Sequence, residues 1–145
     1  MPKNIDPVYP DVGIQANNLL AGTAMNQLIL NGSTDYTGID ADTTLVCTAS
    51  ADGSYVESLR FKAGGTNTAS CARIYINNGS TPTTAANNTL WGEVSLPATT
   101  AIATAATAEI VYPMGIMLQP NFRIYFALAT AVAAGWNCNA VLGDF

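Results

Sequence analysis

The chain has 145 residues, 49% of them hydrophobic and only 10% charged, with a formal net charge of −5 and no histidine. That length suits one domain with a real core, and that hydrophobicity excludes a disordered chain. The missing histidine removes Ser-His-Asp and Cys-His catalysis and the commonest zinc ligand, and five scattered basic residues give no footprint for nucleic acid.

Charge is low against the roughly 25% of ordinary soluble domains, and Thr, Asn and Ser supply the polarity instead. This suggests a surface partly covered by other subunits; a Thr/Asn-rich but merely neutral β protein is the plainer reading. No apolar run reaches the ~18 residues of a membrane helix. The start, Met-Pro-Lys-Asn-Ile-Asp-Pro, lacks a signal peptide's apolar stretch, which points to synthesis in a cytoplasm. Cys47, Cys71 and Cys138 are expected as reduced thiols, with Cys47 and Cys138 in the apolar phase of their strands.

Residues 1–22 carry Pro2, Pro7 and Pro10 and little periodicity. They read as an extended arm, because proline holds itself and its predecessor extended. Ile5, Val8 and Tyr9 offer that arm side chains to bury on its own domain or on a neighbour. A single β-sandwich domain is expected over residues 23–145. Its first strand is placed at Met25–Leu30, followed by a loop over residues 31–42 and a strand over Thr43–Ala49.

Residues 55–63 and 71–77 alternate apolar and polar side chains around Gly64-Gly65-Thr66-Asn67-Thr68. Period two is the strand signature, and the glycines allow a reversal, so the pair reads as a β-hairpin. Leu59 and Phe61, then Ile74 and Ile76, form its buried phase. Further strands follow at Asn88–Leu96, at Thr107–Tyr112 ending at Pro113, at Phe122–Leu128, and from Trp136 onward. Residues 113–121 read as a loop. Eight short strands without helical periodicity indicate an antiparallel β-sandwich, and eight strands with long connections suit a jelly roll. The expected core contains Leu59, Phe61, Ile74, Ile76, Leu90, Val94, Ile110, Ile124, Phe126 and Trp136.

The other strand phase carries Arg60, Arg73, Tyr75, Trp91, Arg123 and Tyr125, with Lys62 and Glu93. Arginine and aromatic residues are enriched at protein interfaces, so this phase is a candidate contact face. The alternative is that both phases are partly buried, with long side chains reaching to water. Trp91 with Asn88 and Glu93 could also stack on a sugar. Glu57, Glu93 and Glu109 sit in different strands and show no acid–base pair. Asp35, Asp40 and Asp42 share a loop but lack the EF-hand spacing, so loop solubility is the expected role. No cofactor or metal is implied.

The stretch VESLRFKAGGTNTASCARIYINNG, followed by NNTLWGEVSLPATT and NFRIYFALATAVAAGWNCNAVLGDF, resembles a family of small virion proteins of tailed bacteriophages. The resemblance covers roughly residues 43–145. It rests on the GGTNTA turn, the aromatic-Ile-Asn-Asn-Gly strand end, the GE-x-x-LPATT strand exit and the closing G-D-F segment. It implies a non-enzymatic head decoration or cement protein at the capsid surface, a homotrimer bound to the major capsid protein. A tail or neck component is the near alternative, and a carbohydrate-binding module using Trp91 the more distant one.

Overall fold

The computed structural model describes the backbone of residues 11–16 and all of residues 29–145. The protein is all-β, with two four-stranded antiparallel sheets. The strands are β1 (Asp11–Ala16), β2 (Thr44–Thr48), β3 (Ser54–Ala63), β4 (Ser70–Asn77), β5 (Asn88–Leu96), β6 (Glu109–Leu118), β7 (Arg123–Leu128) and β8 (Trp136–Asp144), with one short 3-10 turn at Ala85–Asn87. One sheet has the order β1-β8-β3-β6 and the other β2-β7-β4-β5.

The first strand is not where the sequence put it. Asp11–Ala16, inside the expected arm, pairs along β8 from Asp11↔Asp144 to Ala16↔Asn139. These six residues are free of proline and belong to a sheet. Of the expected strand at Met25–Leu30, Ile29 makes one bridge to Trp136, while residues 25–28 lie outside the described residues. So do Ile5, Val8 and Tyr9.

The expected hairpin is also corrected. β3 and β4 lie in opposite sheets. Their connection is too long for a two-residue turn that would zip them together, and it is fastened elsewhere. Asn67, 4% exposed, exchanges backbone hydrogen bonds with Thr99 at 3.1 and 2.9 Å. Its side-chain amide donates to the Gly135 carbonyl at 2.9 Å and accepts from the Ala134 N–H at 2.7 Å. Thr99 Oγ1 donates to the Gly65 carbonyl at 2.6 Å. One asparagine thus ties the β3–β4, β5–β6 and β7–β8 connections at one end of the sandwich. Asn67→Ala strands the Ala134 N–H, at a cost of about 1–3 kcal/mol, and removes one of the two donors to the Gly135 carbonyl, which keeps the Gly64 N–H at 2.9 Å. The expected loss is ~2–4 kcal/mol in urea unfolding, and Asn67→Asp, which replaces the donor with a charge, is expected to lose as much.

Bulges explain where the strand phase departs from the simple alternation; one lies in β2, where the register slips between Leu45 and Cys47 and both Val46 and Cys47 are buried. In β3 the register slips between Val56 and Ser58 against both neighbours, leaving Glu57 without a partner. Ser54 and Val56 therefore face inward before the slip, and Leu59, Phe61 and Ala63 after it. In β5 the register slips opposite Ile74 and Tyr75, because Ile74 pairs Gly92 and Tyr75 pairs Leu90. Trp91 is the extra residue. Leu90, expected in the core, is thereby turned to the surface at 37% exposure.

Pro113 does not end its strand. Among the described residues β6 pairs only with β3, so it is an edge strand there, and a missing N–H is tolerated. Pro113 sits opposite Ser58 at the β3 bulge, and pairing resumes from Ile116 to Leu118.

The core lies between the sheets. Trp136, Phe61, Phe126, Leu59, Ile74 and Ile124 are fully buried, and Val94 is buried beside them. Ile76 and Ile110 pack against this cluster while partly exposed. Phe61 and Phe126 meet edge-to-face across the two sheets, with ring centroids 5.7 Å apart.

Candidate interaction surfaces

The outer face of the β2-β7-β4-β5 sheet is crossed by a strap, residues 33–42, that precedes β2. Its shape comes from its carboxylates. Asp35 accepts from the N–H groups of Thr37 at 2.9 Å and Ile39 at 3.1 Å, and from the Thr37 hydroxyl. Asp40 accepts from Asp42 N–H at 3.0 Å and from Ser33 Oγ at 2.7 Å. Such side-chain-to-backbone bonds are how aspartate stabilises turns. Asp42 accepts from Asn31. Among the described residues no group of three acidic, cysteine or histidine side chains could hold a metal ion.

Arg73 and Tyr75 of β4 anchor this strap. Arg73 Nη1 donates to the Ser33 carbonyl at 2.7 Å, and Nε donates to Glu93 Oε1 at 3.2 Å. The guanidinium lies 3.8 Å from the centroid of the Tyr36 ring, a cation–π contact. Tyr75 donates its hydroxyl to the Asp35 carbonyl at 2.9 Å, and burial pushes its pKa up to about 12. Gly38 takes φ +73° against the Tyr75 ring, where a Cβ would stand 2.8 Å from Cδ1. Asn88 Nδ2 donates to Pro82, Thr37 and Gly38 carbonyls, joining the strap to the loop over residues 78–87.

Two expected contact residues are therefore corrected. Arg73 is 6% and Tyr75 1% exposed, both covered by their own chain. They do point outward from the sheet, as the alternation requires, but the strap takes the place of a partner. The signal was present in NGSTDYTGIDAD: aspartates two residues ahead of Thr37 and Asp42, with a glycine between them, are turn chemistry.

The other candidates are dispersed. Arg60 is exposed on the outer face of the opposite sheet and forms an ion pair with Glu109. Lys62, beside it, donates to the Thr107 carbonyl at 2.6 Å. Arg123 is half-buried and donates to the Ser80 carbonyl at 3.2 Å. Tyr125 is half-buried between the strap and the residue 78–87 loop. Trp91 is 46% exposed on the β5 edge. Its supposed sugar-binding companions are occupied: Asn88 holds three carbonyls and Glu93 holds Arg73. Glu93 and Glu109 belong to different sheets and pair with different arginines, and Glu57 stands at the β3 bulge, so no two share a cleft.

Sequence reasoning missed an apolar surface. Val111 and Met117, outward residues of β6, are 55% and 69% exposed, and Tyr55 stands opposite Met117. Met117 was hidden by reading residues 113–121 as a loop. A Gly92 Cβ would stand 2.4 Å from Tyr112 Oη, which brings the β5 and β6 edges to the same side of the sandwich. Leu90 and Trp91 lie on the β5 edge of one sheet, and Val111 and Met117 on the outward side of β6 in the other.

The thiols are poor nucleophiles. Burial pushes Cys47 up to about 12 and drives Cys138 well above the ordinary thiol range; Cys71, more exposed, is also raised.

Asp35 and Asp40 are held below the usual carboxylate range, Asp35 chiefly by the Thr37 hydroxyl and Asp40 chiefly by the Asp42 N–H. A depressed folded-state pKa gives stability that is present above the unfolded value, about 3.9, and is lost as pH falls through the folded value. The strap is expected to loosen below about pH 4. Amide NMR shifts of Thr37, Ile39 and Asp42 are expected to move together there while β3 and β8 amides stay fixed, and Asp35→Asn is expected to show the loosened shifts of Thr37 and Ile39 already at neutral pH.

No family model, curated protein or solved structure matches this chain.

Proposed function

We propose that the chain is a non-enzymatic structural protein of a phage virion, a jelly roll that decorates and stabilises the capsid as a homotrimer seated on the major capsid protein. The observation that carries this reading is the exposed apolar side chains on both edge strands, β5 and β6, in a chain with so little charge. Exposed apolar side chains on edge strands are a common place for protein contacts. Trp91, Leu90, Val111 and Met117 are exposed there, with no lysine or arginine among the residues of either strand. Solubility in a free monomer would ask for more charge at such edges.

The strand orders support the jelly-roll reading. With β1-β8-β3-β6 facing β2-β7-β4-β5, the chain changes sheet at every connection except β4–β5, in the nested order of two Greek keys. This architecture also hosts many other functions, so it supports the fold and not the role. The role draws on the sequence resemblance over residues 43–145. Ile5, Val8 and Tyr9 are proposed to dock on a neighbouring subunit or the capsid floor, and Arg60 and Trp91 to face it.

The test of the trimer is Val111→Glu with Met117→Glu. Both side chains are exposed, so folding is expected to change by less than about 0.5 kcal/mol. Sedimentation is expected to show the wild type at three times 15.1 kDa and the double variant at a single mass. A wild-type monomer, or an unaffected trimer, overturns this assignment. The test of the role is particle survival. Particles assembled without the protein are expected to lose their contents on heating or at low salt and to recover when it is added back; equal survival contradicts it.

A further inference from the structure

The geometry points to a monosaccharide-binding cleft on the outer face of the β2-β7-β4-β5 sheet, between the strap and the residue 78–87 loop, with Tyr125 as its aromatic contact. This is separate from the β5–β6 surface and does not depend on the trimer.

The cleft has a volume of about 220 Å³. At ~30 Å³ per water it displaces about seven waters, the scale of one pyranose ring and too little for a peptide strand. Ile39 and Ala41 line it from the strap, Pro82 and Thr83 from the opposite loop, and Tyr125 from β7. Asn88 donates to Gly38 at 3.3 Å and to Pro82 at 2.7 Å, so both sides are fastened to one residue and the opening is built, not incidental. A preformed opening lowers the ordering cost that weakens binding.

The chemistry of the lining selects the ligand. A sugar presents a C–H face and a rim of hydroxyls. Tyr125 and Pro82 offer apolar surface for the first. For the second, Asp40 is a carboxylate fixed by Asp42 N–H and Ser33 Oγ, with lone pairs left on both oxygens to accept from hydroxyls. The Thr43 hydroxyl, shut off from water at the cleft, has no hydrogen-bond partner among the described residues. No lysine or arginine lines the cleft, which disfavours anionic ligands. A neutral hexose fits this combination of aromatic ring, apolar wall and fixed acceptor. The pairing of an aromatic ring with a carboxylate that the sequence suggested at Trp91 and Glu93 is found instead at Tyr125 and Asp40.

A ligand of a dozen heavy atoms in a shallow cleft is expected to bind with a dissociation constant on the order of 1–10 mM. The experiment is an amide NMR titration of the intact protein with the methyl glycosides of glucose, galactose and mannose and with N-acetylglucosamine, each taken well above that range. Saturable shifts at Gly38, Ala41 and Thr83 with at least one of them are expected. Tyr125→Ala is expected to weaken binding at least tenfold. Ala41→Leu fills the opening from an exposed position, leaves the thermal midpoint unchanged, and is expected to abolish the shifts. Shifts that are absent with all four sugars, that centre on Trp91, or that persist in Ala41→Leu overturn the assignment.

Discussion

Phe126→Ala is expected to lower the unfolding free energy by about 3–5 kcal/mol. Phe126 is fully buried in β7, an inner strand between β2 and β4, and its ring meets Phe61 of the opposite sheet at an interplanar angle of 78°. Three contributions are lost together: the transfer of the ring from water, the contacts forfeited around the cavity, and the edge-to-face pair, worth about 0.5–1.5 kcal/mol beyond area. Backbone relaxation cannot refill the space, because both neighbouring strands are locked in register around Ile74 and Thr44. Against a domain stability of about 5–15 kcal/mol the variant stands near the edge of folding. Urea unfolding followed by tryptophan fluorescence measures this, and Phe126→Leu, which keeps most of the volume, is expected to recover more than half of the loss. A loss below about 1 kcal/mol for the alanine variant would mean that the two sheets do not share this core.

Arg73→Met is expected to cost about 2–4 kcal/mol and to free the strap, whereas Glu93→Gln is expected to cost less than about 1 kcal/mol. The two differ because the partners differ in exposure. Glu93 is 46% exposed at its side chain, and its lost charge partner is replaced by water. The Ser33 carbonyl has no such replacement, since Ser33, at the start of the strap, is buried and Arg73 Nη1 is its 2.7 Å donor. Methionine keeps the stem that packs along the sheet, so the loss reports on hydrogen bonds and the Tyr36 contact, not on volume. Hydrogen exchange is expected to rise at Thr37, Ile39 and Asp42 in Arg73→Met and to stay at the wild-type level in Glu93→Gln. Equal costs in the two variants would show that the ion pair, and not the strap carbonyls, is what Arg73 contributes.

The sequence made seven of the eight strands legible, because period-two alternation and turn residues survive without tertiary context. β7 is the clearest instance: Ile124, Phe126 and Leu128 alternate with Arg123, Tyr125 and Ala127, and the first three are fully buried. What alternation does not carry is which sheet a strand joins. β3 and β4 look like a hairpin locally, but β3 pairs with β6 and β8 and β4 with β5 and β7, and the connection between them is tied by Asn67 to Thr99, Ala134 and Gly135. Those partners are more than 30 residues away in sequence, beyond any local pattern.

Bulges were invisible for a related reason. A single unpaired residue, Glu57 or Trp91, reverses the phase of everything before it, and neither position has a composition that announces the slip. Pro113 misled because an edge strand tolerates what a central strand does not. The candidate surfaces were half legible. The phase of Arg73 and Tyr75 was read correctly, but an outward side chain is not an exposed one, and the strap that covers them comes from 40 residues earlier. The Tyr125 cleft needs three separated segments, so no sequence window contained it.

The most direct measurement is an image of virions carrying this protein with a dense label at its C-terminus. The account predicts label over the capsid surface, in clusters of three at three-fold or quasi-three-fold positions, and none elsewhere. Label confined to the neck or tail, or capsids bare of it, would contradict the decoration role.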